Sequence, residues 1–282
     1  MMRSPKISAE MTCPKKNLLN KNQSHFMDLN LSNVVYSKHD LKRKIKIPTR
    51  LTPMLAEDLG FHIGDGCMVG YQRKDTGGMR YQFNYSGNLN KDFDYFQNKL
   101  LPRKKKLYNL DLKVKIHTTE NSIYVSYYSR VLYDFFLALG IPSGKKTKVS
   151  LPEIIKKSPK RIKAAFIRGL AAADFCVCVK NRPNGTYPSI KFVTASKILC
   201  KDVCKILQEF CIPLTRYKEF KIDKRFKRPT TTYCLDINGR KRLNLWMQKI
   251  GFSDKRNLIS VTKFSRARRD LNPRLLSVSF LG

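Results

Sequence analysis

Two stretches, 59-LGFHIGDGC-67 and 168-RGLAAADFC-176, decide the fold of this 282-residue chain. Each closes an apolar-periodic segment with small residues and one aspartate, and alternating strand-like runs follow. Gly60 and Gly64 are spaced i, i+4 and share one helix face, as do Gly169 and Ala173. Faces of small residues let two helix backbones approach closely. If these helices pack on each other, Asp65 and Asp174 meet at the end of the pair. Two carboxylates so placed repel, and a divalent metal relieves the repulsion. An aspartate making a local backbone bond at a helix end is commonplace; two at matched positions are not.

The matching extends outward. Asp65 and Asp174 are 109 positions apart, and Gly140 and Gly251, which close the helices of 129–139 and 240–250, are 111 apart. Between them the order repeats: helix, hairpin, helix, hairpin, helix. The first half has hairpins around "DTGG" and Glu120-Asn121, with a helix over 91–101. The second has a helix over 158–174, with Ser158 as N-cap and Pro159 in the first turn, then a hairpin around Asn184-Gly185. The expected class is α+β, a pseudo-two-fold tandem repeat of αββαββα halves with two antiparallel four-stranded sheets. Expected boundaries are a basic mobile leader over 1–50, halves over 51–148 and 149–254, and a basic tail over 255–282.

Fifty-six Lys and Arg against 21 Asp and Glu give a net charge of +35. Such a surplus repels itself unless a polyanion neutralises it, which points to nucleic acid or an anionic membrane surface. Hydrophobic residues at 42% exclude a disordered basic tail. No apolar run reaches the roughly 18 residues of a membrane span, and the N-terminus lacks a secretory apolar region. The chain is therefore expected to be intracellular (cytoplasmic, nucleoid or organellar), not secreted, with no membrane partner. Eight cysteines without a CxxC pair, and only four histidines, argue for reduced thiols rather than a zinc site.

With both motifs placed in a duplicated, strongly basic chain, residues 53–253 resemble the LAGLIDADG homing endonucleases in their single-chain, two-repeat form. The resemblance implies a saddle of two sheets on duplex DNA and a monomer with a long pseudo-palindromic target. It also implies hydrolysis of both strands across the minor groove to leave 3′ overhangs, and encoding by a mobile intron. Asp65 and Asp174 would be catalytic, and together with Gly64 and Ala173 they would hold Mg²⁺. The alternative on the same scaffold is an intron-RNA maturase. This sequence departs from the family's pattern at Ile63 and Ala172, where a first acid is frequent, and at Phe175, where Gly66 stands in the first copy. If that glycine needs an unusual backbone angle, Phe175 costs about 1–2 kcal/mol or shifts the acid, implying slow or strand-biased cleavage.

Strand alternation separates a polar reading face from an apolar one. In the first half it assigns Gln72, Lys74, Arg80, Gln82, Asn84, Lys113, Lys115 and His117 to DNA. In the second it assigns Lys180, Arg182, Ser189 and Lys191, and charge adds Arg216 and Lys218. Arg and Lys suit guanine, and Gln or Asn suit adenine, in the major groove. Gln82 and Lys191 each lie 17 residues after their aspartate, and the resemblance implies that such residues position water or stabilise charge. His62, alone in the signature helix, reads as a packed or hydrogen-bonded histidine. Trp246 and Phe135, 111 apart, read as core.

Overall fold

The computed structural model describes residues 27–117, 120–183, 185–223 and 228–269. A short helix, α1 (Lys38–Lys42), precedes the first half: α2 (Pro53–Asp65), β1 (Gly66–Gln72), β2 (Met79–Asn88), α3 (Leu89–Tyr95), α4 (Leu101–Tyr108), β3 (Lys115–Ile116), β4 (Ser122–Tyr128) and α5 (Arg130–Ala138). A π-helical turn, Phe96–Leu100, joins α3 to α4. The linker holds α6 (Glu153–Lys156). The second half follows as α7 (Lys160–Asp174), β5 (Phe175–Arg182), β6 (Gly185–Thr194), α8 (Lys197–Glu209), β7 (Thr215–Asp223), β8 (Arg228–Asn238) and α9 (Arg240–Lys249), and α10 (Lys255–Arg269) ends it.

The two sheets share one topology, β1-β2-β4-β3 and β5-β6-β8-β7, all antiparallel. The duplication expected from the spacing is thus a duplication of architecture. Alternation sends Met68, Phe83, Tyr85, Ile123, Val125 and Tyr127 into one core. Val177, Ile190, Phe192, Leu235 and Ile237 enter the other. Trp246 and Phe135 are fully buried at matching places. Gly140 and Gly251 end α5 and α9 at φ +83° and +74°, the left-handed angle that only glycine adopts freely.

Helices α2 and α7 join the halves. Thr52 caps α2 through its side-chain oxygen, which accepts from the Leu55 N–H at 3.2 Å, with Pro53 in the first turn. A Cβ on Gly60 would lie 2.0 Å from the Phe166 carbonyl oxygen, and one on Gly169 1.9 Å from that of Glu57. The backbones therefore touch where glycine permits. One expectation about α7 shifts by a residue. Its cap position is Pro159, while the Ser158 hydroxyl donates to the Ile154 carbonyl, so the turn of α6 takes the hydroxyl.

The terminal segments differ from the sequence reading. Residues 27–50 are packed, not mobile. The Asp40 carboxylate is fully buried, where it accepts from the Ser129 hydroxyl at 2.8 Å and the Val131 N–H at 3.1 Å. It thus satisfies the first turn of α5, an anion at the positive end of a helix dipole. The start of the tail is α10, docked through the buried Asn257, whose amide bonds Val177 and Phe175 in β5. Residues 1–26 and 270–282 lie outside the described residues. No helix among the described residues is long and apolar enough to cross a membrane.

Candidate active site

Both signature helices run directly into the first strand of their sheet, so Asp65 and Asp174 sit at helix C-termini. The close crossing brings them together: a Cβ on Gly64 would stand 2.3 Å from the Ala173 Cβ and 3.4 Å from Asp174 Oδ2. The four small residues expected at the interface are all there. Beside it lies a cavity of about 260 Å³, lined by Ile63, Gly64, Lys146, Thr147, Asp174 and Thr194 among others.

Both carboxyls are held above their usual range. Burial, then the nearby Asp92 carboxylate, pushes Asp65 up to about 6. Burial, then Asp65, pushes Asp174 up to about 7. The negative ends of two helix dipoles converge on the same place. The structure thus concentrates negative potential where two oxygen ligands are already gathered, and those hard oxygens suit a divalent cation. Among the described residues no cluster of three or more His, Cys, Asp or Glu gathers anywhere, so the pair would share its ion with main chain, water or substrate oxygens. The Gly64 carbonyl, expected as one such ligand, is already bonded by Lys146.

Two cations missed in the sequence complete the site. Lys146 donates to the carbonyls of Ile63 at 2.8 Å and His62 at 3.3 Å, as well as to Gly64. Arg256 donates to the Ala172 carbonyl at 3.2 Å. Each thus caps the C-terminal end of its own half's signature helix, and each lowers the pKa of both acids. Burial holds the Lys146 ammonium below its usual value. The two are 110 positions apart, inside the 109–111 offset of the duplication. Applying that offset to the runs "SGKKTK" and "FSDKR" would have found them.

Phe175 does not strain the second site. Gly66 has φ −77°, ψ 152° and Phe175 has φ −101°, ψ 150°, both extended conformations open to any residue. Gly66 is required by space: a Cβ there would lie 2.3 Å from His62 Nδ1. His62 is buried and bonds the Tyr85 hydroxyl at 2.8 Å. Burial, then the charges of Lys104 and Lys146, depresses its pKa and keeps it neutral. In the second half Ala171 stands at the position of His62, and Phe175 fills the room, stacked on Phe192 at 4.6 Å and against Trp246 at 5.3 Å. Bulk has moved from one position to the other. Gly66→Phe is therefore expected to lower stability by about 3 kcal/mol through overpacking, roughly 6–12 °C in melting temperature. Adding His62→Ala should recover at least half of that loss in thermal melts.

The register corrects the pairing of Gln82 with Lys191. Cys67, two residues after Asp65, pairs with Asn84, whereas Cys176, two after Asp174, pairs with Lys191. Gln82 pairs with Val69, and its counterpart is Ser189, paired with Cys178. The first hairpin is longer by one pair of positions, which subtraction along the chain cannot detect. The true counterparts are Asn84 with Lys191 and Gln82 with Ser189.

On the outer face of the first sheet, Gln82 donates to Asn84 and to Ser126 at 3.2 and 3.3 Å. Arg80 stacks 5.0 Å over Tyr128, and Lys115 and His117 pack on Tyr124. Lys113 is exposed in the segment before β3, which is far shorter than expected. Lys74 is at the exposed hairpin tip. Gln72 belongs to the opposite parity, with Met68 and Gly70, and its amide ties down the turn at Gly77.

In the second sheet Lys191 is on the outer face, donating to Glu219 at 2.8 Å, and Lys180 pairs with Asp236. Ser189 is fully buried and bonds Asn238 at 2.7 Å, so it contacts no ligand. The Arg182 side chain lies outside the described residues. Arg216 and Lys218 face the helix side, because they pair with Leu235 and Tyr233 while Thr215 pairs with the outward Asp236. Charge alone suggested them; alternation assigns that strand's outer face to Thr215, Tyr217 and Glu219.

Residues 161–251 match a family model described as a LAGLIDADG-like domain. The chain is 28% identical over 222 residues to the tRNA-splicing ligase RtcB of Methanopyrus kandleri, covering 70% of this chain and 20% of that protein. To the replication factor C small subunit of Methanocaldococcus jannaschii it is 29% identical, covering 78% of this chain and 10% of that one. The chain thus spans only a fifth and a tenth of the length of these curated relatives. Among solved structures, it is similar to I-DmoI in complex with DNA and Ca (TM-score 0.49, 18% identity, 76% of this chain and 97% of that one). It is also similar to the LAGLIDADG homing endonuclease I-GzeII with its DNA target (TM-score 0.48, 10% identity, 81% and 94%). Asp174 lies within the matched stretch, and Asp65 is its counterpart 109 positions earlier.

Proposed function

We propose that this protein is a site-specific DNA endonuclease of the homing type, a monomer whose two sheets straddle one duplex and whose acid pair cuts both strands. The observation that carries the reading is the meeting of Asp65 and Asp174 at the crossing of two duplicated helices, each flanked by a cation, between two polar sheet faces. Asp65 and Asp174 hold the divalent metal, Mg²⁺ in the cell. When bound, that metal activates water for attack and stabilises the leaving oxygen of a phosphodiester.

The remaining work falls to this chain's own groups. Lys146 and Arg256, anchored by helix-end carbonyls, present positive charge to the phosphate where charge develops in the transition state. Arg80, Gln82, Asn84, Lys115 and His117 read one half-site, and Lys180 and Lys191 with their acid partners read the other. The halves differ in side chains, so the target is only roughly palindromic. The exposed lysines supply affinity that falls steeply with salt. Short 3′ overhangs follow from cuts across the minor groove, and carriage by a mobile intron fits a long recognition site.

Selection of cleaved duplexes from a randomised library with Mg²⁺ tests the reading. Double-strand cuts within one consensus are expected, and Lys146→Met should slow them about 100-fold while duplex binding changes less than about threefold. Tight RNA binding with no duplex cut would support a maturase instead.

A further inference from the structure

The two capping cations are equivalent by sequence offset but not by surroundings. Among the described residues Lys146 makes no ion pair within 4 Å and leans on main-chain carbonyls. Arg256 has a carboxylate partner from the other half: its Nη1 is 3.4 Å from Asp92 Oδ1. Asp92 is itself fixed, since its Oδ2 accepts from the Asn88 N–H at 2.8 Å at the start of α3. A Cβ on Gly87 would press 3.0 Å against the Asp92 Cβ, so the glycine is what admits the aspartate at this place. Beside it Lys255 reaches Asp94 at 4.0 Å. Helix α10 thus leaves the second half and docks on α3 of the first.

Among the described residues no carboxylate pairs with Lys146 as Asp92 pairs with Arg256. Asn88 caps α3, and four residues on stands Asp92; Ser196 caps α8, and four residues on stands the buried Cys200. The first half therefore carries a carboxylate where the second carries a thiol.

We infer that Asp92 is a positioning residue for Arg256: it holds the guanidinium across the junction of the halves, and so keeps this cation from collapsing onto Asp65 and Asp174 and displacing the metal. Freed from Asp92, Arg256 keeps one carboxylate within 4 Å, Asp254 at 3.8 Å, whose two oxygens Asn257 already occupies. The guanidinium is then drawn to the acid pair that already feels its charge, and a guanidinium pairing bidentately with a carboxylate competes with a divalent ion for the same oxygens. The inference rests on the proposed role of the acid pair as the metal site.

The test is a double-mutant cycle on the full chain, read by calorimetric titration with Mn²⁺ alone and by strand-resolved nicking. Asp92→Asn is expected to weaken Mn²⁺ binding about 5–10-fold and to slow one strand's nicking more than the other's, while Asp92→Glu restores both to within about twofold. In the Arg256→Gln background the same Asp92→Asn change should leave Mn²⁺ affinity unaltered. A carboxylate acting through its own field would weaken binding equally in both backgrounds, and that outcome overturns the inference, as does unchanged Mn²⁺ binding in Asp92→Asn. Failure of the wild-type chain to bind Mn²⁺ would overturn the metal-site reading itself and this inference with it.

Discussion

Asp174→Asn is expected to abolish double-strand cleavage, by at least about 1,000-fold, and at the same time to make the metal-free protein more stable. The second effect follows from the proton balance. A carboxyl whose pKa is higher in the folded chain than in the unfolded one binds its proton more tightly when folded. The stability it contributes is complete below about pH 3.8 and drains away as pH rises through 6 for Asp65 and 7 for Asp174. At pH 7.5 both acids are largely ionised at a stability cost on the order of 3–4 kcal/mol each. Removing one charge should raise the melting temperature by about 6–16 °C without metal. At pH 5, where the folded acids are largely protonated but the unfolded ones are not, the gain should shrink to roughly 1.5 kcal/mol, and it should vanish only below about pH 3.8.

Metal should act in the opposite sense on the two proteins. For the wild type, an ion at 100 times its dissociation constant adds about 2.7 kcal/mol, because it binds the carboxylates that repel each other in its absence. For Asp174→Asn the same addition should do little. Melts at pH 5 and 7.5, with and without Mg²⁺, decide the matter. Equal melting temperatures for the two proteins at pH 7.5, together with an equal response to metal, would remove Asp174 from any metal site.

What could be read from sequence was what repeats. Small residues at i, i+4, an aspartate, a hairpin and a closing glycine recur at a nearly constant interval, and periodicity fixes faces as well as order. That was enough for both sheets, the helix crossing and the acid pair. Three features escaped for distinct physical reasons. Gln82 and Lys191 were matched by counting along the chain, but hairpin length changes partners without changing the count. Arg216 and Lys218 carry the charge expected of a DNA face, yet strand parity points them at the helix side. Lys146 and Arg256 come from irregular or terminal segments, where no helix or strand period marks a side chain; the 110-position interval pairs them, but only the folded chain brings them to the acids. Asp40 is a similar case. One of three acids in a basic leader, Asp40 gives no local sign that it will cap a helix some 90 residues on.

Gly60→Ala and Gly169→Ala are expected to do the most damage to the fold itself. Neither glycine has a positive φ, so the requirement is for room alone. The new Cβ would lie 2.0 Å from the Phe166 carbonyl oxygen in one case and 1.9 Å from that of Glu57 in the other. Both obstacles are main chain, which cannot rotate away as a side chain can. The helices must separate by more than about 1 Å, against an interior that is close-packed and yields little. Leu59, Ile63, Ile167 and Leu170 on the same helices are all buried and would lose contact together. A loss of about 4 kcal/mol or more is expected for each variant, roughly 8–16 °C in melting temperature. Because the carboxylates are held by this crossing, metal affinity should fall with it. Gly64→Ala supplies the contrast, since its Cβ would clash with a side chain, the Ala173 Cβ at 2.3 Å, and meet the Asp174 carboxylate at an ordinary 3.4 Å. Exchanging the two, Gly64→Ala with Ala173→Gly, keeps one methyl group at the contact and should restore near-native melting. If Gly60→Ala proved as mild as that exchange, the backbones would not be in contact there, and the account of how the two acids are brought together would fail.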